Sequence, residues 1–421
     1  MVLLGAWWCE FRPKSKAVVP VLGAVQNYAW GRLGSASNVA QLAFANAQSS
    51  PADRFAIDEN APYAELWMGT HPKAPLRFKS EAGNVVGPAR PITDDARFAT
   101  LPFLFKVLSI KKALSIQAHP TKDLARVLHA RDPQNYPDDN HKPELAIALT
   151  DFVALCGFRP LERIRDAICS VPELASLVGG KDSAQALLDG PVDARRLALK
   201  RVFSCLMKAD RDSVSKQLQL LVDRLQSQPN LNEDEDSKLI LHVVQDFPGD
   251  VGCFVIYFLN VVHLKPGEGM FLAANEPHAY IKGDCIECMS SSDNVVRAGL
   301  TPKFMDVDVL LEMLTYESRL PAEQLLHPKK QPSLGFVATF QPPVQEFAVT
   351  RAVAETTGAQ LELAAQPGPS LLIVTSGAAV VKSSGDQSVA YGSVLYIQPG
   401  TPLAMTSTSG RFEAYQAFSQ A

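Results

Sequence analysis

The sequence lacks most of the features that would place it outside the ordinary soluble class. Its seven cysteines, Cys9, Cys156, Cys169, Cys205, Cys253, Cys285 and Cys288, are odd in number and widely scattered, so they do not form a disulfide framework. The one tight pair, "CIEC", has no second pair to complete a zinc ribbon and reads as two strand residues on opposite sides of Ile286. No apolar run reaches the ~20 residues of a membrane-spanning helix. "VGCFVIYFLNVVHL" is of strand-pair length and contains a histidine. In the opening "MVLLGAWWCEFRPKSK" the basic residues follow the apolar run and no small-residue cleavage site appears, so it is not read as a secretory signal. An excess of one charge is missing too. The net charge of -4 provides no global field for nucleic acid or an acidic membrane. An anionic small molecule would need a local cluster of lysine and arginine. What remains is 421 residues, 47% hydrophobic and 20% charged, enough for two or three domains. The expectation is a reduced, cytoplasmic, monomeric protein with no nucleic-acid or membrane partner.

The texture changes along the chain. The first stretch has short apolar runs broken by Gly, Pro and Asn, such as "VQNYAWG" and "LPFLFKVLSI", which read as strands and loops. A helix is expected after Pro120, where Leu124, Val127 and Leu128 recur at helical spacing. Between 155 and 247, Val214, Leu218, Leu221 and Leu225 form an amphipathic stripe, and "SVPELASLVGG" and "DARRLALKRVFSCL" read the same way. Four to six short helices are expected there, with "QPNLNEDEDS" as an acidic solvated loop. Strand texture returns with "PGDVGCFVIYFLNVVHL", and a last β-rich block follows Pro321. The chain thus reads as mainly β with an α insertion. Residues 1–154 and 248–320 form one unit, 155–247 the helical insertion and 321–421 a second β unit.

One internal repeat relates the β units. "GEGMFLAANEPHAY" from Gly267 aligns with "GSVLYIQPGTPLAM" from Gly392 at a constant offset of 125. Each copy reads as turn, apolar strand, turn, proline and next strand, which predicts two small β-barrels of related design. At the one chemically loaded position, His278 in the first copy meets Leu403 in the second.

Side chains alternate faces along a strand, so in "LSIQAHP" Ser115, Gln117 and His119 share one face. The preceding "FLFKVL" implies burial, and buried polar groups need partners. A lone histidine there is more often a hydrogen-bonded core residue than a ligand, so a metal requires further donors. Of the eight histidines, His129, His242 and His327 read as structural and His263 as ambiguous, while His71 is evenly balanced. His119, His141 and His278 fall in polar clusters at strand ends and are the stronger candidates. "DDNHKPELAIAL" packs Asp138, Asp139, His141, Lys142 and Glu144 before a buried strand, and "DNVVRAGLTPKF" carries Asp293, Arg297 and Lys303. On spacing alone both are charged surface loops.

Taken together, "QNYAWG", "AELWMGTHP", "LSIQAHP", "DDNHKPELAIAL", "CGFRP", "NEPHAYIKGDCIECM" and "SSDNVVRAGLTPKF" resemble type I phosphomannose isomerases, in family order. The resemblance is dense from about residue 25 to 160 and from 250 to 310, and thin in the helical part and the last block. It implies a cupin fold of two β-barrels with an inserted helical domain, the second barrel metal-free. It also implies one zinc ion per chain, held by Gln117, His119, Glu144 and His278, with Arg297 as a catalytic residue. The implied reaction interconverts mannose 6-phosphate and fructose 6-phosphate through an enediol, with zinc as Lewis acid on the C1 and C2 oxygens. The product would feed GDP-mannose synthesis and glycosylation.

The residue types fit that chemistry. Glu287 and Lys142 are candidates for the base. Ser115, Lys106 and Lys303 are candidates for the phosphate, with Arg297 in reach. Asp293 is a candidate for orienting Arg297. Tyr280 and Trp30 either line the sugar site or pack in the core. Two rival readings are an Fe(II) cupin oxygenase, for which two histidines and a carboxylate also serve, and a non-catalytic sugar-binding cupin.

Overall fold

The computed structural model describes residues 16–48, 53–79, 90–96, 98, 101–228, 234–333, 335–383 and 385–420. The N-terminal apolar run and part of the "QPNLNEDEDS" loop therefore lie outside the described residues.

The first β assembly has eleven strands. Its backbone is the 13-residue strand His278–Ser290, which changes partners along its length. Its beginning pairs with Ile116–Ala118 and Phe152–Phe158, and its later part pairs with Phe103–Ile110 and Glu144–Ala148. The switch falls at Gly283, which has φ +111°. A Cβ there would lie 2.6 Å from the Asp151 carbonyl, so only glycine lets the strand turn the corner. Ile116–Ala118 also pairs with Val296–Gly299. One corner of the sheet thus gathers four segments that are distant in sequence.

The second assembly joins an eight-stranded and a four-stranded sheet. Its interior is apolar, with Leu363, Leu372, Val381, Leu403 and Met405 all buried. The outer face of its larger sheet packs against the first assembly, where Val107, Ile147 and Ile286 meet Phe340, Val349, Ile373 and Tyr415. Residues 1–154 read from sequence as part of the first unit. The hydrogen bonds instead put Val18–Leu22 in this second assembly, with Val18 opposite Ile397 and Val21 opposite Val394. An apolar alternation shows that a strand is half-buried but not which sheet edge it covers.

The expected repeat has a structural counterpart. Gly267 and Gly392 both have positive φ, +86° and +83°. The strands Gly269–Leu272 and Val394–Ile397 follow them, and His278 and Leu403 each open the next strand.

Six α-helices lie between 161 and 243: Leu161–Ser170, Pro172–Leu177, Gly180–Ala186, Val192–Met207, Arg211–Ser227 and Glu235–Val243. Two of them, of 16 and 17 residues, are longer than expected. The stripe Val214, Leu218, Leu221 and Leu225 is buried as its period requires. Their core is continuous with Ile116, Ala118 and Ala279 on the strands at the sheet corner, so the insertion buttresses that corner from behind.

Two local expectations differ from the structure. The first half of "VGCFVIYFLNVVHL" is helical, Gly252–Val255 and then a 3-10 turn Ile256–Phe258, and only Leu259–Leu264 is a strand. The Asp250 carboxylate accepts the N–H groups of Gly252, Leu300 and Thr301. This local side-chain anchor overrides the β propensity of the run. The helix after Pro120 is Lys122–Arg131, capped by Thr121, but it buries Ala125 and Leu128 and leaves Val127 exposed.

Candidate functional site

The sheet corner holds three converging acceptors. His119 follows the short strand Ile116–Ala118, Glu144 opens Glu144–Ala148 and His278 opens the long strand. All three are at most 2% exposed, and their donor atoms lie within 4.8 Å of one another. His119 Nδ1 donates to the Asn294 carbonyl at 2.7 Å, and His278 Nδ1 donates to the Glu276 carbonyl at 3.0 Å. A carbonyl can only accept, so each imidazole carries its proton on Nδ1 and turns an Nε2 lone pair inward. His119 Nε2 lies 3.4 Å from Glu144 Oε1, and His278 Nε2 lies 3.2 Å from Glu144 Oε2.

Three of these four facing atoms are unsatisfied. His119 Nε2, His278 Nε2 and Glu144 Oε2 have no hydrogen-bond partner. Burial pulls the His119 pKa down to about 4 despite the Glu144 carboxylate, so the ring is neutral at pH 7. The Glu144 carboxyl is held well below the usual range. Burial opposes this, and the Lys142 ammonium is the largest influence holding it down. Three buried lone pairs facing one another without a proton repel unless a cation lies between them. Two nitrogens and a carboxylate suit zinc or another borderline divalent ion. Among the described residues this is the one such group of histidine, cysteine and carboxylate side chains.

A cavity of about 750 Å³ opens over Glu144. Gln117 lines it, directly opposite His278 and Arg297 in strand register. Its side-chain oxygen accepts a hydrogen bond from Ser115 Oγ at 3.3 Å. Arg297 is only partly exposed, and burial lowers its pKa with no carboxylate acting on it. Among the described residues it forms no ion pair. Lys142 Nζ lies 3.3 Å from Glu144 Oε1. Lys303 is exposed and, like Ser115 and Trp30, lines the cavity.

A second buried cluster, on the neighbouring strands of the same sheet, also lines the cavity. Lys106 sits between Glu287 at 2.9 Å and Glu65 at 3.4 Å, with its ammonium 5.3 Å from the centre of the Trp67 ring. Burial works against its charge, but the two carboxylates raise its pKa above the ordinary lysine value. Glu287 is shifted upward, chiefly by burial, although Lys106 opposes the shift. Burial and Glu287 together push the Tyr280 phenol upward. Glu65 and Trp67 are site residues that sequence reasoning missed. Their signal appears only once strands pair, because Lys106 is opposite both Trp67 and Glu287.

Some candidates are not where the sequence put them. Asp293 lines the cavity but does not bond Arg297. Its carboxylate goes to Lys73 at 2.7 Å and His71 at 3.6 Å, and those contacts hold its pKa well down. His141, one of the stronger metal candidates, instead pairs with Glu346 of the last block at 2.6 Å. By contrast His129, read as structural, bonds the Tyr136 carbonyl, and His263, read as ambiguous, pairs with Glu235.

A buried two-histidine, one-carboxylate cation site beneath a charged cavity, on a mainly β chain with a helical insertion, defines a metal-binding protein for small polar molecules. The family model described as "Phosphomannose isomerase type I, catalytic domain" matches residues 18–161, and that for the type I helical insertion domain matches 177–259. The mannose-6-phosphate isomerase of Bos taurus is 44% identical over 94% of this chain and 96% of its own length. That of Homo sapiens is 42% identical over 93% and 96%. A crystal structure of mannose 6-phosphate isomerase from Salmonella typhimurium, bound to fructose 6-phosphate and zinc, superposes with a TM-score of 0.79. It is 30% identical and covers 96% of this chain and 100% of that one. The chain belongs to the type I phosphomannose isomerase family, and its cupin-type β architecture with a helical insertion is that family's.

Proposed function

We propose that this chain is a zinc-dependent aldose–ketose isomerase that interconverts mannose 6-phosphate and fructose 6-phosphate. The observation that carries the reading is the trio of unsatisfied acceptors on His119, His278 and Glu144, beside the unpaired Arg297. Those three side chains would hold zinc, with the Gln117 amide as fourth donor. Zinc would supply a Lewis acid that stabilises negative charge developing on the sugar oxygens.

The protein's own groups supply the rest. Arg297 has no carboxylate to neutralise it and faces the negative charge of the enediolate. Two side chains can move the proton between C1 and C2. Lys142 stands beside Glu144, and Glu287 is a carboxyl whose pKa burial raises although Lys106 opposes the shift. Ser115 and Lys303 offer a hydroxyl and an exposed ammonium to the phosphate. Lys106 is already committed to two carboxylates, which favours a role in orienting Glu287 over direct phosphate contact. Tyr280, Trp30 and Asp293 shape the cavity around the sugar. The units 1–154 with 248–320, 155–247 and 321–421 serve respectively as catalytic, buttressing and supporting parts, with Val18–Leu22 contributed to the last.

No helix among the described residues is long and apolar enough to cross a membrane, and we place the enzyme in the cytoplasm as a monomer supplying mannose for GDP-mannose synthesis. The test is a coupled assay on mannose 6-phosphate, with and without a chelator. Turnover that disappears with the chelator and returns with zinc is expected. No rate above background in zinc-replete protein refutes the isomerase, and oxygen consumption by the iron-loaded protein would favour the oxygenase instead.

A further inference from the structure

Both imidazoles are oriented by a backbone carbonyl, but the two carbonyls are held differently. Glu276 belongs to the turn just before His278. Asn294 lies 175 residues from His119 in sequence, so its carbonyl needs a separate anchor. That anchor centres on one carboxylate, and the Asn140 carbonyl adds to it by accepting from Ser292 Oγ at 3.2 Å and Asn294 Nδ2 at 3.0 Å. Asp138 Oδ1 accepts from Ser292 Oγ at 2.8 Å and from Asn294 Nδ2 at 3.1 Å, and Oδ2 accepts from the Asp293 N–H at 2.7 Å. The Asp138 carbonyl accepts Asn294 Nδ2 again at 2.7 Å, and the Asn140 N–H donates to Oδ1 at 3.0 Å. Three consecutive residues, Ser292 to Asn294, are therefore tied to one side chain. The segment carrying it leads directly into Lys142 and Glu144.

We propose that Asp138 is the positioning residue of the metal centre. Its carboxylate fixes the Ser292–Asn294 loop, and the Asn294 carbonyl then sets the tautomer and ring plane of His119. Asp138 acts through the loop and is not itself a ligand. The inference rests on the metal-site reading above. An ionised carboxylate has room for about four donors and presents none of its own, which suits a point where only N–H and O–H groups converge. Asn294 and Ser292 are both at most 3% exposed, so water has little access to replace a lost bond.

Asp138→Asn keeps the shape but turns an NH2 group toward donors. Zinc affinity, measured by chelator competition, should fall roughly tenfold, the usual cost of losing an outer partner of a metal-bound histidine. The visible spectrum of the cobalt-substituted protein should shift, and kcat should fall with KM nearly unchanged. Asp139→Asn, the same charge change on the exposed neighbour, should alter none of these. A wild-type protein that binds no zinc overturns both readings. If the wild type binds zinc and Asp138→Asn matches it in affinity and cobalt spectrum, only the positioning role falls. A lower Tm with unchanged affinity and spectrum also overturns it, because a plain loop tie would behave that way. Should Asp138→Asn fail to fold, Ser292→Ala removes the Oγ tie to Asp138, together with its bonds to the Asn140 carbonyl and the Asn294 N–H, and leaves the carboxylate in place. A loss of zinc affinity of roughly twofold or more then supports the role, and unchanged affinity overturns it.

Discussion

The strand pair that carries His278 and the pair that carries Leu403 share a frame and differ in what fills it. Both begin with a positive-φ glycine, and both bring their loaded position to the start of a strand facing the interior. In the second assembly Leu403 packs among Leu363, Val381 and Met405. In the first, the same position points an unpartnered nitrogen at two more acceptors. An interior of this design can be closed with hydrocarbon or left polar for an ion. The polar version carries uncompensated repulsion that the apolar one avoids.

The largest effect should come from erasing the difference. His278→Leu, which copies the second unit, should strip zinc and cut isomerisation by about 10³-fold or more, as metal analysis and the coupled assay would read. Retained zinc would mean that the comparison misplaces the ligand. Arg297→Ala should lower turnover about 10²-fold with zinc content unchanged, and parallel loss of both would make Arg297 part of the metal shell.

Acid should separate the units next. In metal-free protein His119 sits near 4 against an ordinary value of 6.5, so the unfolded chain takes the proton first. Stability should be full above about pH 6.5, fall as pH drops and level off below about pH 4. The loss at this site is about 3 kcal/mol, measured by urea unfolding after chelation. A flat profile across that window would remove the electrostatic distinction. The smallest effect runs the other way. Leu403→His should destabilise by about 2 kcal/mol and bind no zinc, because its described neighbours Leu363, Val381 and Met405 offer no carboxylate, while turnover stays unchanged.

How much of this was legible in the sequence depends on the range of the interaction. Alternation in "LSIQAHP" put Gln117 and His119 on one face, and the 125-residue offset anticipated the paired frames. The stripe from Val214 to Leu225 anticipated its helix. The sequence could not show that His141 answers Glu346 across the interface between the β assemblies, or that Lys106 meets Glu65 and Glu287 on neighbouring strands. Those pairings depend on register between distant segments. The Gly252–Phe258 helix failed for a related reason, since its anchor Asp250 also serves Leu300 and Thr301. Gln117 as a ligand came from family resemblance, because glutamine seldom binds zinc.

The pairing of Val18–Leu22 with Val394–Ile397 also sets a clock. A ribosome releases Val18–Leu22 about 370 residues before Val394–Ile397. At about 5–20 residues per second, that is a wait of roughly 20–75 s. For that interval Arg77–Phe78 is available to one edge of the strand while the edge meant for Val394–Ile397 stays open, the kind of exposed edge that invites mispairing and chaperone attention. A ribosome that stalls before Val394–Ile397 is made would leave Val18–Leu22 without that partner.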